Sequence, residues 1–253
     1  MKTKKLFLTV LTVLFCTAML IAEVPSTDEL YRMFDSIFES FNHDGDISFT
    51  ITIIDEKPNK PKVASQYKTF RRDRSDQTVL LQIAPEIDKG MGYLQDGDNI
   101  WTYDPNTRQF DHYSIKQNLG DSSVKIRDVN TSKKFKTNYE ILTASETTVG
   151  KIPAYKVETK PIYKDAEYAK ETYYVSKADK LIVKQEFYGA SGRLMRTFYM
   201  TKYEQIDTMR VPVQQISINN VVQGEKSTLI MSGFNTNALP DMIFTKAYLE
   251  KVN

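Results

Sequence analysis

The feature that most constrains the fold is an alternation of apolar and polar residues that begins after Gly45. Ile47, Phe49, Ile51 and Ile53 are separated by polar residues, and the same period recurs along most of the remaining chain. A two-residue period places successive side chains on opposite faces of a β-strand. The later runs lie at 63–72, 78–84, 90–95, 99–104, 108–114, 138–149, 153–162, 169–177, 181–189, 193–203, 211–219 and 225–234.

The links between these runs are short and have the composition of tight turns. Asp96-Gly97-Asp98, Asp104-Pro105-Asn106 and the stretches 177–180 and 189–192 supply the Gly, Pro, Asn and Asp that hairpins use. Strands joined by such short links pair antiparallel with their neighbours in sequence. The sequence therefore predicts a mainly β (α+β) protein in which about a dozen strands form an antiparallel meander.

Two segments outside the meander read as helices. Residues 26–41 have Ser26 and Glu29 at capping-box spacing. An apolar stripe with helical spacing follows and comprises Leu30, Met33, Phe34, Ile37, Phe38 and Phe41. At the other end of the chain, Pro240 opens a second, shorter amphipathic segment. Residues 116–137 are the least patterned part, and they fit either a loop or a flap.

The N-terminal segment has the composition of an export signal. Three lysines precede a run from Leu6 to Ala22 without a charge, and the chain turns polar at Glu23. We interpret residues 1–22 as a cleaved signal peptide and residues 23–253 as one domain in the periplasm. A retained membrane anchor is the alternative. Lipidation of Cys16 is disfavoured because Phe15 occupies the position where a lipobox has a small residue.

Removal of the signal would leave no cysteine, and 31 Lys and Arg against 32 Asp and Glu. A disulfide scaffold and a thiolate metal site are thereby excluded, and the charge does not suggest nucleic-acid binding. The sequence has no Gly-x-Ser-x-Gly motif, no phosphate loop and no EF-hand. His43 and His112 are isolated. We therefore expect neither an enzyme nor a cofactor or metal.

Several short motifs resemble those of the LolA-like family of periplasmic outer-membrane lipoprotein-sorting proteins. The most specific stretch is Gly-Tyr-Leu at 92–94, followed by Ile-Trp-x-Tyr-x-Pro at 100–105 and by Arg108. The similarity continues through Asn138-Tyr139-Glu140, Tyr173-Tyr174-Val175, 188–194, Val211-Pro212, 224–228 and Leu239-Pro240-Asp241. It covers nearly all of the chain after the signal, although residues 118–123 are more polar than in many relatives.

The resemblance implies an unclosed antiparallel β-barrel of about eleven strands whose open side is covered by the N-terminal and C-terminal helices, with an apolar cavity for acyl chains. It implies a carrier or chaperone for a lipidated protein or a phospholipid, with an inner-membrane transporter and an outer-membrane acceptor as further partners. We expect a monomer. The candidate cavity residues are Leu30, Met33, Phe34, Ile37 and Phe38 on the helix, and Phe49, Ile51, Leu81, Ile83, Trp101 and Tyr103 on the sheet.

Two other interpretations remain open at this stage. The same scaffold, packed solid, would suit a non-carrier interaction module that docks on a membrane transport complex. Each candidate cavity residue also fits ordinary core packing. Sequence alone does not tell which strand face is the inner one, because a register shift of one residue exchanges the two faces.

Overall fold

In the computed structural model, the residues described are 24–97, 99–114, 116–129, 135–163 and 166–252. The predicted signal peptide and Cys16 lie outside these residues. Helix α1 (Thr27–Glu39) begins at the predicted capping box, in which the Glu29 carboxylate accepts the Ser26 N–H at 2.8 Å. Three shorter helices are α2 (Ile126–Val129), α3 (Phe135–Asn138) and α4 (Lys246–Lys251).

Within the described residues, thirteen strands form one antiparallel sheet. They are β1 (Asp46–Glu56), β2 (Val63–Arg72), β3 (Gln77–Ala84), β4 (Gly92–Asp96), β5 (Asn99–Asp104), β6 (Gln109–His112), β7 (Tyr139–Val149), β8 (Ile152–Pro161), β9 (Lys170–Ser176), β10 (Ile182–Tyr188), β11 (Leu194–Ile206), β12 (Met209–Asn219) and β13 (Lys226–Asn235). Their order is β6-β5-β4-β3-β2-β1-β13-β12-β11-β10-β9-β8-β7, so β6 and β7 are unpaired edges. The predicted unclosed antiparallel barrel is confirmed, with thirteen strands rather than about eleven.

The register divides the side chains of the sheet between two faces. Residues directly opposite each other in neighbouring strands point to the same side. Ile51 pairs with Met231 and Tyr67, and Tyr173 pairs with Val157 and Gln185. Following such pairs across all strands places these residues on one side, which we call the inner face. The other side is the outer face.

The C-terminal segment packs on the outer face, and not over the open side as the resemblance implies. Ile243, Phe244 and Leu249 form one apolar cluster with Val79 and with other outer-face residues of β4 and β5. A close approach is possible because Gly92 has no side chain: a Cβ there would lie 2.7 Å from Leu249 Cδ2. The inner face is therefore left to α1 and to the segment 116–129.

A buried ion pair attaches this C-terminal segment to the sheet. Arg72 Nε donates to Asp46 Oδ1 at 2.8 Å, and Arg72 Nη2 donates to the Leu239 carbonyl at 2.8 Å. The hydrogen bond from Arg72 holds the pKa of Asp46 below its ordinary value. Arg72 also binds the carboxylate of Asp241 at 2.6 Å, but that side chain is 94% exposed.

The Asp46 pair predicts a loss of stability in acid. Because its folded pKa lies below its unfolded pKa of about 4, Asp46 stabilises the fold above the unfolded value, and this contribution is lost as pH falls through the folded pKa. We expect the free energy of unfolding in urea to depend less on pH between about 5 and 2 in Asp46→Asn than in the wild type. Asp241→Asn, the exposed control, should keep the wild-type dependence; an equal change in both variants would contradict the assignment.

Candidate functional site

Helix α1 lies on the inner face over β8, β9 and β10. Leu30, Phe34 and Ile37 are buried there in a cluster with inner-face residues such as Val157 and Tyr173. Burial of three such side chains contributes about 5 to 9 kcal/mol. The helix is thus held to the sheet mainly by its apolar stripe.

Aromatic rings form the centre of this contact. The Phe34 ring stacks on Phe135 of α3 with centroids 4.1 Å apart and meets Tyr173 edge-on at 5.1 Å. Phe38 stacks on Phe135 at 5.7 Å, and Tyr139 stacks on the same ring at 4.8 Å. Burial raises the pKa of the Tyr173 hydroxyl well above its ordinary value, so this phenol is neutral and the surface under α1 carries no charge from it.

The polar attachments of α1 are few and local. The Tyr31 hydroxyl accepts the Ile141 N–H at 3.1 Å, and the Asp35 carboxylate accepts the Phe135 N–H at 2.9 Å. The first bond joins α1 to the start of β7, and the second joins it to α3. The capping box at the start of α1 joins Ser26 to Glu29 within the helix, so it does not attach the helix to the sheet. A hydrogen bond between neutral groups contributes about 1 kcal/mol and one to a carboxylate about 1.5 to 3 kcal/mol, so the two bonds add less than the apolar contact.

The C-terminal end of α1 is fixed more firmly. Ser40 accepts the Arg210 N–H at 2.9 Å. His43 donates from Nε2 to Asp207 at 3.0 Å while its Nδ1 accepts the Gly45 N–H at 3.1 Å. His43 is therefore a hydrogen-bonded structural residue. Together these bonds make the end of α1 a fixed point, and the rest of the helix a cover that rests on apolar contacts.

A solvent-open cavity of about 920 Å³ runs along α1. Met33, Ile37 and Leu181 line it, and Arg32, Lys180 and Arg210 are also among its lining residues. Ligand pockets generally have volumes of about 300 to 1,000 Å³. Glu29 and Asp179 line it too, so the cavity combines apolar side chains with charges of both signs, which suits a molecule with a long apolar part and a polar end.

The segment 116–129 covers the other half of the inner face. Leu119, Val124 and Ile126 are each at most 2% exposed and pack in one cluster with Phe49 and Ile51. Asp128 forms a buried ion pair with Arg196 of β11. Residues 130–134 of the predicted flap region lie outside the described residues. The described part is an inner-face cover, although its sequence is mostly polar.

The structure separates the eleven candidate cavity residues into two groups. Phe49 and Ile51 are on the inner face, and the five α1 residues face it; Leu30, Phe34 and Ile37 are buried, while Met33 and Phe38 are partly buried. Leu81, Trp101 and Tyr103 are on the outer face, since Leu80 and Ile100 are the inner residues of β3 and β5. Ile83 belongs to neither group: it lies at a register shift between β2 and β3 and is 38% exposed. Trp101 lies under Lys246 of α4, whose Nζ is 4.4 Å from the ring centroid.

Sequence reasoning missed several inner-face residues. Phe135, Tyr139, Leu119, Val124 and Ile126 are all buried, but they lie in or beside the segment with no clear period. The sequence signal that could have identified them is the apolar pair Val124 and Ile126, which are two residues apart.

No group of three or more His, Cys, Asp or Glu side chains in the described part of the chain is arranged to hold a metal ion. Among the same residues, no helix has the length and apolarity needed to cross a membrane.

Comparison with known proteins identifies the fold. A family model described as "Uncharacterized protein" matches residues 74–251. A LolA superfamily protein from Nitrosomonas europaea is 22% identical with a TM-score of 0.73, and the match covers 88% of this chain and 99% of that one.

Two further solved structures agree with this result. A Vibrio parahaemolyticus domain described as an outer membrane lipoprotein-sorting protein is 18% identical with a TM-score of 0.75, covering 87% of this chain and 98% of its own. A DUF1329 family protein from Desulfovibrio piger is 18% identical with a TM-score of 0.76, covering 88% and 98%. No curated protein matches the sequence significantly.

Proposed function

Since this chain belongs to the family whose model matches residues 74–251, and has the fold of the LolA superfamily, we propose that it is a carrier for acyl chains. The cargo is a lipidated protein or a phospholipid, and the carrier works in the periplasm, a location that the predicted export signal supports. One observation carries the proposal: half of the inner apolar face is covered by a helix that is fixed at one end, and not by strands.

The energies are compatible with exchange of α1 for a ligand. An acyl chain of about sixteen carbons that leaves water gains on the order of 10 kcal/mol, at about 0.8 kcal/mol per methylene. The apolar stripe of α1 contributes a comparable amount. A chain that enters from the cavity beside Met33 and Leu181 can therefore replace the contacts that the helix gives up.

Two matched variants test the location of the acyl chain. Val157 and Val79 are both 0% exposed, but Val157 lies under α1 on the inner face, whereas Val79 lies under α4 on the outer face. Each Val→Ala change removes two methyl groups and costs about 1.6 kcal/mol of burial. Because Val157 contacts α1 in the covered protein and the acyl chain in the complex, part of this cost cancels. We expect Val157→Ala to weaken binding of a fluorescent fatty acid about two- to threefold, and Val79→Ala to leave it unchanged.

The same measurement decides between the carrier and a solid interaction module. Fatty-acid binding by the wild type, and lipid in the mass spectrum of natively purified protein, are expected of the carrier. A protein that binds no fatty acid and carries no lipid would instead use its inner face only as a core. Equal effects of the two valine variants would place the acyl chain elsewhere.

A further inference from the structure

Strand β7 is the longer of the two unpaired edges of the sheet. Its 11 residues pair with β8 on one side only, whereas β6 at the opposite edge has 4 residues. None of residues 143–149 is buried. Natural proteins protect exposed edges with short strands, Lys or Pro. Residues 143–149 contain neither Lys nor Pro, so this part of the edge is open to another strand.

The register shows which backbone groups of β7 point away from the sheet. Pro153 of β8 lies opposite Thr148, and the Pro153 carbonyl accepts the Lys177 N–H at 2.9 Å on the β9 side. Thr148 and Pro153 are therefore not hydrogen-bonded to each other, and the N–H and carbonyl of Thr148 point outward. Because no register shift interrupts 143–149, the N–H and carbonyl groups of Glu146 and Ala144 also point outward.

The start of β7 is already occupied by α1. The Tyr31 hydroxyl accepts the Ile141 N–H at 3.1 Å and donates to the Tyr139 carbonyl at 3.3 Å. A bulge between Ile141 and Thr143 separates this part from 143–149. Beyond the bulge, no described residue forms a hydrogen bond to the outward backbone groups. These groups are an N–H and a carbonyl on every second residue, which is the spacing of an extended polypeptide.

This open edge adjoins the proposed acyl-chain site. Val157, which lies under α1, is directly opposite Ala144 of β7. Nearer the end of β7, Glu146 forms an ion pair with Lys177 of the turn between β9 and β10, and Lys180 of the same turn lines the cavity along α1. Only β8 lies between β9 and β7. Two strand spacings amount to about 10 Å, a distance that about three extended residues span.

The chemistry of the edge selects a polypeptide. Outward N–H and carbonyl groups are satisfied together by an extended main chain, which adds to a sheet as a further strand. The head of a phospholipid has no such alternating array. The side chains of β7 on the outer face are those of Thr143, Ser145 and Thr147. They are small, so they leave space for the side chains of an added strand.

A second copy of this chain is a less suitable occupant. Stable protein–protein interfaces use about 20 to 30 residues on each side, and the open edge 143–149 is much shorter. A polypeptide that is joined to a bound acyl chain has an advantage that a separate molecule lacks. The acyl chain holds the polypeptide beside the edge at an effective concentration of about 1 mM.

We infer that the β7 edge binds the polypeptide of a lipidated cargo protein as an added strand, antiparallel to β7, while the acyl chain lies under α1. This inference rests on the proposed function, and it selects a lipidated protein over a phospholipid as the cargo. The polypeptide leaves the cavity beside Lys180, passes the end of β8 and pairs with the backbone of Thr148, Glu146 and Ala144 in that order.

Two ligands with the same lauroyl chain test the inference by competition with a fluorescent fatty acid. Lauroyl-alaninamide has one residue, whereas a lauroyl peptide of about ten Thr and Ser residues is long enough to reach the edge and pair with it. We expect the lauroyl peptide to bind at least about tenfold more tightly. The same peptide with methylated backbone nitrogens from its fourth residue onward has no donors for the edge, and should bind like lauroyl-alaninamide.

Glu146→Pro removes an edge donor from the protein, and Glu146→Thr is its matched control. Both variants lose the ion pair with Lys177, but only proline lacks the N–H and places a ring where the added strand would lie. The sheet tolerates this proline because the N–H of residue 146 points away from β8. We expect Glu146→Pro to lose the preference for the lauroyl peptide and Glu146→Thr to keep it, while both bind lauroyl-alaninamide like the wild type.

The outcomes separate this inference from the carrier function. Equal binding of the two ligands by the wild type, a preference that the methylated peptide retains, or one that survives Glu146→Pro, would overturn this inference alone. So would a dimer of the ligand-free wild type in sedimentation that dissociates in Glu146→Pro, since the edge would then bind a second copy. Thermal unfolding verifies that both variants are folded. No binding of lauroyl-alaninamide to the wild type would overturn the carrier function itself.

Discussion

A covalent link between α1 and α3 is expected to abolish acyl-chain binding. Asp35 and Lys136 are suitable positions because both line one solvent-open cavity and neither is buried. The Asp35 carboxylate accepts the N–H of Phe135, the residue before Lys136. Cysteines at these two positions, joined by a short bismaleimide, would tie α1 to α3 in the covered arrangement.

The physical reason is that the acyl chain and α1 compete for one apolar surface. If the helix cannot leave Val157 and Tyr173, the chain must stay in water, and most of its transfer free energy is lost. A loss of about 4 kcal/mol of the available energy would weaken binding about 1,000-fold. We therefore expect a loss of at least about 100-fold in fatty-acid affinity, measured by fluorescence titration.

The control for this experiment is the same double-cysteine protein without the linker. Its affinity should equal or exceed that of the wild type, because loss of the Asp35 hydrogen bond favours release of α1. A protein that begins at residue 23 has no other thiol, since Cys16 is the one cysteine of the chain. Full binding after cross-linking would show that the chain enters without movement of α1, and would contradict its role as a cover.

The β-rich fold could be predicted from the sequence because both of its signals are local. Alternation in β1 and the composition of the hairpin turns determine strands and antiparallel order without knowledge of tertiary contacts. The capping box and the apolar stripe of α1 are equally local, and the predicted helix 26–41 differs from Thr27–Glu39 only at its ends.

The identity of the inner face could not be predicted, because both faces of several strands are apolar. In β3, Val79 and Leu81 are on the outer face while Leu80 is on the inner one. In β5, Ile100 is on the inner face and Trp101 on the outer face. The apolar–polar alternation is lost where α4 buries the outer face. The face on which Trp101 and Tyr103 lie therefore depends on a long-range contact, which a local sequence pattern does not reveal.

The second large effect concerns the buried ion pair that fixes the segment 116–129. The side chains of Arg196 and Asp128 are 5% and 7% exposed. Removal of one partner leaves the other as an uncompensated buried charge, which costs about 3 to 5 kcal/mol. We expect Asp128→Ala to lower the free energy of unfolding by that amount, measured by urea denaturation at neutral pH.

A double variant separates the charge from the packing. Arg196→Met combined with Asp128→Leu removes both charges and keeps apolar side chains at the two positions, so its stability should lie within about 1 kcal/mol of the wild type. The difference in the free energy of unfolding between Asp128→Ala and the double variant measures the cost of an unpaired buried guanidinium.

The Asp128 side chain also accepts the Lys125 N–H at 2.7 Å. Asp128→Ala should therefore loosen the cover over Leu119 and Val124, and amide hydrogen exchange in 116–129 should accelerate. If Asp128→Ala were as stable as the wild type, Arg196 would have another anionic partner. That result would contradict the conclusion that the Arg196–Asp128 pair fixes the segment 116–129.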